Sequence, residues 1–268
     1  MVLDDTRVAG SAKSIPPPTP PVVVWHDLEC GAYRADLPLW HELAQRSGDS
    51  VLDIGAGSGR VTLELARSGP AVTALDCEPL LLDTLRDRGR TLGVRTVCAD
   101  ARSFSLERTD YDLCVVPMQT IQLLGGVAGR ADLLRCAKAH LRPGGVLACA
   151  ILGEIEPFDC SAGGNGPAAE RASVDGLLYL SRAVRVSETP TTVVIERERR
   201  VLSDGARIGP TETSPNDDRL ERNIVELDRV SVRQLQHEGE AAGLSVAPTH
   251  NIAATDEHVS SSVVMFCA

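Results

Sequence analysis

The stretch Val51-Leu-Asp-Ile-Gly-Ala-Gly-Ser-Gly-Arg60 constrains this chain more than any other. A short apolar run ends in three alternating glycines, and an amphipathic segment at 60–68 follows at once. This is the pattern of a first strand, a tight turn and a helix. Glycines permit positive φ and close approach of backbone to a ligand, and the helix start offers unpaired N–H groups. Several nucleotides would suit such a turn. The spacing, however, is Gly55-x-Gly57-x-Gly59, whereas the dinucleotide fingerprint is G-x-G-x-x-G, and Arg60 stands where its last glycine should be. A pyrophosphate cradle is therefore disfavoured.

Apolar runs alternate with amphipathic ones from residue 22 to 152, which is the sequence form of βαβ units and a parallel sheet. Strands are expected at 50–54, 71–75, 95–99, 112–116 and 146–151, and helices at 37–46, 60–68, 79–91 and 130–141. Residues 1–21, ending in Pro16-Pro-Pro-Thr-Pro-Pro21, are too polar and proline-rich for a packed core and read as a disordered tail. After residue 152 the rhythm breaks. Segment 153–228 holds a small-residue loop at 161–167, strand-like pieces at 177–186, 192–201 and 224–227, and turns at 188–190 and 203–205, the pattern of an antiparallel insert. Residues 229–268 return to a helix at 231–242, with Ser231 and Gln234 as a capping box, and two strands at 244–252 and 260–267. The fold class expected is α/β, with a mixed sheet closed by a β-hairpin.

Composition narrows the partners. A net charge of -10 and few aromatic residues (3%) leave little attraction for phosphate backbones and few stacking platforms, so nucleic acid is a poor partner. The densest cationic stretch, Glu196-Arg-Glu-Arg-Arg200, alternates in sign and reads as a solvated strand. The eight cysteines form no C-x-x-C pair and no zinc spacing, so no metal is expected; Cys98, Cys114, Cys149 and Cys267 sit in apolar runs as small hydrophobes. The start lacks an apolar h-region, and the longest strongly apolar run, 146–152, is too short to span a bilayer. A cytoplasmic protein away from membranes is the expectation.

Carboxylates follow three successive strands. Asp53 stands beside the glycine turn, where it can meet an ammonium. Asp76 follows the second strand about twenty residues after the glycines, the place from which a carboxylate accepts hydrogen bonds from ribose hydroxyls. Asp100 ends the third strand, placed to accept from an adenine amino group while the Ala101 N–H approaches the ring.

VLDIGAGSGR, VTALD, CADA, YDLCVVP and LRPGGVL, in this order, resemble the successive motifs of class I S-adenosylmethionine-dependent methyltransferases. The resemblance covers about residues 25–152 and the helix and hairpin after 228. It implies a Rossmann-like seven-stranded sheet with a reversed last strand, helices on both faces and the antiparallel insert after strand 5. It also implies S-adenosylmethionine as cofactor, S-adenosylhomocysteine as product, and a cofactor shell of Asp53, Gly55, Ala56, Gly57, Asp76, Cys77, Asp100, Ala101 and Pro117. Tyr33 resembles a lid tyrosine touching the cofactor.

The acceptor is less legible. Enzymes of this kind that act on adenine N6 or glutamine amides carry an Asn/Asp/Ser-Pro-Pro-aromatic element after the fourth strand; here the stretch is Val116-Pro-Met-Gln-Thr120. Gln119 is expected to border the methyl-transfer position. His26, Tyr33 and His41, with His250 further on, are the candidates for a base if the acceptor is a hydroxyl. The insert is expected to roof the crevice over a small-molecule acceptor of nitrogen or oxygen type, or to form a homodimer interface. A methyltransferase-like subunit that binds cofactor without turnover is the alternative.

Overall fold

The structure is a computed structural model and describes residues 18–163, 166–203, 219–256 and 258–268. The tail expected at 1–21 lies outside them up to residue 17, as do residues 204 and 205 of the turn expected at 203–205.

Two-sided burial of the central strands sets the architecture. In β1 (Ser50–Ile54) and β4 (Tyr111–Val116) almost every side chain is buried, as a parallel sheet covered on both faces requires. Alternate residues serve opposite layers. Leu52, Ile54, Cys114 and Val116 pack with Leu133, Leu134 and Leu235 on one face, while Val51, Leu113 and Val115 pack with Trp40, Leu43 and Leu65 on the other. The remaining sheet elements are β2 (Ala71–Asp76), β3 (Arg95–Cys98), β5 (Leu141–Leu152), β11 (Ser245–Ile252) and β12 (Ser261–Cys267). Their spatial order is β11-β12-β5-β4-β1-β2-β3, with β12 antiparallel to both neighbours. This is the seven-stranded mixed sheet expected from the sequence. Residues 142–145 are looped out of β5, since Leu141 pairs with Tyr111 and the next partners are Val146 and Leu113.

Helices α2 (Leu37–Ser47), α3 (Arg60–Ser68), α4 (Pro79–Arg88), α5 (Gly126–His140) and α6 (Val232–Ala241) flank this sheet. Ser231 caps α6 by accepting the Gln234 N–H at 3.2 Å, but the Gln234 side chain donates to Glu238, so only half of the expected capping box forms. Helix α4 stops at Arg88 rather than 91, and α5 begins at Gly126 rather than 130. Cys114 and Cys149 are fully buried as expected, whereas Cys98 is exposed because β3 is an edge strand.

Helix α1 (Pro21–Cys30) was not expected. Pro21 at its first turn continues a proline-rich run in sequence, yet proline is also well suited to a helix start, and the apolar Val23, Val24 and Trp25 that follow are buried.

The segment after β5 folds as a second, antiparallel sheet. It contains β6 (Phe158–Asp159), β7 (Glu170–Val174), β8 (Leu177–Glu188), β9 (Thr192–Ser203) and β10 (Arg219–Asp228), ordered β10-β9-β8-β6 with β7 also on β8. Strands β6 and β7 carry few apolar residues and escaped the hydrophobic pattern. One face of this sheet is inward. At one end Tyr179 packs edge-on against Trp25 of α1, with ring centroids 5.0 Å apart. At the other end Val186, Val193 and Leu227 pack with Leu152, Ile155 and Phe158.

A buried ion network anchors the exit from this second sheet. Arg130 of α5, 2% exposed, donates to both Glu238 oxygens of α6 and to Asp228 at the end of β10, each at 2.8 Å. The Asp228 carboxylate also accepts the Gly126 N–H, and its carbonyl accepts from Gln122. Gln122 belongs to a short 3-10 turn, Thr120–Leu123, and its Oε1 accepts the Leu152 N–H at 2.6 Å. The second sheet is thereby tied to the loop after β4.

Candidate active site

A cavity of about 390 Å³ opens at the carboxyl ends of β1, β2, β3 and β4, the position where open α/β sheets hold ligands. Most of the residues singled out in the sequence meet there. Asp53, Gly55 and Ala56 come from β1 and its turn, Asp76 and Cys77 from β2, Asp100 and Ala101 from the loop after β3, and Pro117 and Gln119 from the loop after β4. His26 reaches the cavity from α1.

The glycines at the turn hold left-handed backbone, with φ of 78° at Gly55 and 54° at Gly57. A side chain on Gly55 would run into Thr120, and one on Gly57 into the His26 ring, so the turn is closed on by the β4 loop on one side and by α1 on the other. Met118, the residue beside Gln119, also has a positive φ of 55°, which bends the β4 loop across the cavity.

The three carboxylates differ in what they already hold. Asp53 is fully buried; its Oδ2 accepts from Thr62 Oγ1 at 2.6 Å, and its Oδ1 has no partner among the described residues. Burial pushes its carboxyl up to about 6, against the opposing pull of the Thr62 hydrogen bond and the Arg60 charge. A buried acceptor left open in this way calls for a donor, ideally a cation. Asp76 accepts the Gly57 N–H at 2.8 Å and the Glu78 N–H at 2.9 Å, one on each oxygen, so its carboxylate is oriented by backbone and keeps free lone pairs. Gly57 thus acts on the site through Asp76 and does not line the cavity itself. Asp100 is held at its rim by Arg102, whose guanidinium and N–H bring its carboxyl down to about 2.

Helix α1 and the turn after it were the least legible part. Asp27 accepts from Ser58 Oγ at 2.5 Å and pairs with Arg88 of α4, and His26 Nδ1 lies 3.2 Å from the same Ser58 hydroxyl. Burial raises the Asp27 carboxyl, but hydrogen bonds from His26, Arg88 and Ser58 outweigh it and leave it well below the usual range. Arg60, singled out in sequence only for breaking the dinucleotide spacing, makes a bidentate pair with Asp36 at 2.6 and 2.7 Å and donates to the Tyr33 carbonyl. Asp36 in turn accepts from Trp40 Nε1 at 2.8 Å. This clamp ties the chain before α2 to the helix that opens the site.

Three of the candidates lie away from the cavity. Tyr33 does not line the cavity: its ring is turned toward His258, 4.9 Å between centroids, and stacks under Arg60. Burial holds its hydroxyl above the ordinary phenol range, so it stays protonated near neutral pH. His41 lies on α2, which Trp40, Leu43 and Ala44 seat against the sheet, and it too is absent from the cavity wall. His250 lies on the edge strand β11, beside a separate surface groove.

Cys30, the last residue of α1, also lines the cavity. Burial pushes its thiol up to about 11, with Glu29 and Glu170 adding to the shift and Arg60 and Arg197 opposing it. It is no nucleophile at neutral pH, but it marks where charges of the second sheet come near the cavity.

Residues 51–145 match a family described as a methyltransferase domain. The chain carries a methyltransferase domain. The chain is similar to the cypemycin N-terminal methyltransferase of a Streptomyces species, 30% identical over 142 residues, which is 53% of this chain and 55% of that enzyme. The matches to curated relatives span little more than half of their length or less. Two solved structures share the fold over nearly the whole chain. The sugar N-methyltransferase KedS8 from Streptoalloteichus sp superposes with a TM-score of 0.64 at 17% identity, covering 98% of each chain. The amino pentose methyltransferase CalS10 from Micromonospora echinaspora, solved with S-adenosylmethionine bound, gives 0.60 at 21% identity, covering 90% of this chain and 91% of that one. The likeness at this identity concerns the fold, and it includes the second sheet as well as the methyltransferase domain.

Proposed function

We propose that this protein transfers a methyl group from S-adenosylmethionine to a small polar acceptor, and that the acceptor atom is an amine nitrogen. The observation that carries the cofactor assignment is Asp53: a fully buried carboxylate with one unpartnered oxygen beside a positive-φ glycine turn. That open acceptor fits the ammonium of the cofactor's amino-acid end. Asp76, oriented by two backbone N–H groups, would hold the ribose hydroxyls, and Asp100 with Ala101 the adenine edge. When bound, the sulfonium supplies a methyl group already activated for in-line displacement.

The protein's part is then to position the acceptor, exclude water and leave the attacking lone pair free. The wall formed by the β4 loop offers Met118, Gln119, Thr120 and Leu123, none of which can take up a proton at neutral pH. His26, on the opposite side, is packed over Gly57 and engaged with Ser58. An amine that arrives unprotonated needs no base, whereas a hydroxyl would. Among the described residues lining the cavity none is Phe, Tyr or Trp, and His26 is the one aromatic ring there. The similar structure KedS8, described as a sugar N-methyltransferase, supports the same reading.

The acidic chain, with all eight cysteines unpaired, fits a cytoplasmic enzyme. Among the described residues no helix is long and apolar enough to cross a membrane. The test of function is mass spectrometry on the purified protein incubated with S-adenosylmethionine and a panel of amines and phenols. A product heavier by one methyl from an amine supports the reading. Methylated phenols alone would overturn the nitrogen assignment, and cofactor binding with no product from any acceptor would favour a binding subunit.

A further inference from the structure

The inward face of the second sheet carries a band of polar side chains between its two apolar ends. Strand register places them. Asn223 on β10 lies opposite Arg197 on β9, which lies opposite Ala183 on β8; one step along, Arg199 lies opposite Ser181, and Ser181 opposite Glu170 on β7. Val225 and Leu227 follow Asn223 on the same face of β10 and belong to the apolar cluster with Leu152 and Phe158. Trp25, Tyr179 and Val201 form the other apolar end. The band therefore lies between α1 and the Thr120–Leu123 turn, and both of these supply cavity walls.

Its charges are balanced but its hydrogen bonds are not complete. Arg199 is held by Glu29, giving Nε and Nη2 to its two oxygens at 2.8 Å each, and Ser181 donates to the same carboxylate. Arg197 works through Nη1, to Glu170 at 3.2 Å and Ser181 at 3.4 Å; among the described residues its Nε and Nη2 have no acceptor. Next to it the side-chain oxygen of Asn223 is buried with no donor in reach. The buried Asn223 oxygen carries a penalty that a ligand hydroxyl would remove, and the part-exposed Arg197 nitrogens beside it can donate to the same ligand. Cys30 connects this band to the cavity, since it lines the cavity and directly follows Glu29, which holds Arg199 and Ser181.

We infer that Asn223 and Arg197 form the acceptor subsite, and that the acceptor is a polyhydroxylated amine of the amino-sugar class. One hydroxyl donates to Asn223 Oδ1 and a neighbouring oxygen accepts from Arg197, which leaves the amine to face the cofactor end of the cavity. The sequence Glu196-Arg-Glu-Arg-Arg200, read from its composition as a solvated strand, then has two faces: Glu196, Glu198 and Arg200 outward, Arg197 and Arg199 on the substrate side. This inference rests on the methyl-transfer reading above and adds the class of acceptor to it.

The test uses the full chain saturated with S-adenosylhomocysteine and titrated by calorimetry with a methyl aminohexoside, and with cyclohexylamine as an amine without hydroxyls. The wild-type protein is expected to prefer the aminohexoside by about tenfold or more, the scale of one buried hydrogen bond. Asn223→Leu should lose that preference while binding S-adenosylhomocysteine as wild type does, and Asn223→Asp, which keeps an acceptor oxygen, should retain it. Arg197→Gln provides an independent variant should Asn223→Leu fail to fold, and is expected to lose the preference too. No preference in the wild type, or a preference that survives both Asn223→Leu and Arg197→Gln, would overturn the inference. Failure of the wild type to bind S-adenosylhomocysteine would instead overturn the underlying methyl-donor reading.

Discussion

At the scale of single residues, the site turns on carboxylates whose surroundings differ more than their sequence positions do. Asp53, Asp76 and Asp100 all stand at or beside the ends of strands and were legible from spacing. What spacing could not give is that Asp53 is sealed in with one oxygen open, that Asp76 is oriented by backbone and that Asp100 is held by Arg102. These are facts of packing. The first has a pH consequence. In the free protein burial raises the Asp53 carboxyl to about 6, and an ammonium ligand needs it ionised, so binding favours loss of that proton. Affinity for S-adenosylhomocysteine is therefore expected to fall as pH drops below about 6, approaching tenfold per unit, and to level off above it. Titration calorimetry from pH 5 to 8 checks this, and Asp53→Asn should flatten the profile. Tyr33 shows the reverse limit of sequence reading, because its ring direction is set by the Arg60–Asp36 clamp some distance along the chain.

At the scale of elements, the parallel strands and their helices were legible because period and turn chemistry agree with tertiary burial at each of them. Helix α1 was not, since its proline start continues a proline-rich run, and its role depends on partners in α4 and β9. Strands β6 and β7 were missed for want of apolar alternation. The anchoring of β10 shows how a single buried ion can hold several elements. Arg130→Met would leave Glu238 and Asp228 buried without their cation, and is expected to cost about 3–5 kcal/mol of stability in urea unfolding. The double variant Arg130→Met, Glu238→Leu should recover part of that loss. If Arg130→Met unfolds at the wild-type midpoint, the network has no anchoring role.

At the scale of the whole molecule, the methyltransferase domain and the second sheet meet through α1. Trp25 packs on Tyr179, Glu29 takes Arg199, Asp27 takes Arg88, and His26 covers the glycine turn. One helix thus couples the glycine turn to the strands proposed to receive the acceptor. Burial disfavours the Glu29 charge, but Arg199, Ser181 and Arg197 outweigh it and hold its carboxyl below the ordinary glutamate range. A lowered folded value means that the contact stabilises docking above the unfolded glutamate range and is lost as pH falls through the folded one. Limited proteolysis of the second sheet is accordingly expected to quicken in acid below that range, and Glu29→Gln should bring the same sensitivity to neutral pH. An unchanged cleavage pattern in Glu29→Gln would show that the apolar contacts suffice. The insert was legible as antiparallel strands after β5, whereas its inward polar band was not, because alternation alone does not say which face is turned to the core.

The cavity behind the glycine turn is proposed to hold S-adenosylmethionine. Calorimetry at neutral pH with S-adenosylhomocysteine, on the wild-type protein and on Asp76→Ala, tests it most directly. One-to-one binding is expected, weakened in the variant by about 1.5–3 kcal/mol, the scale of charge-assisted hydrogen bonds. No heat of binding in the wild type, or equal affinity in the two proteins, would contradict it.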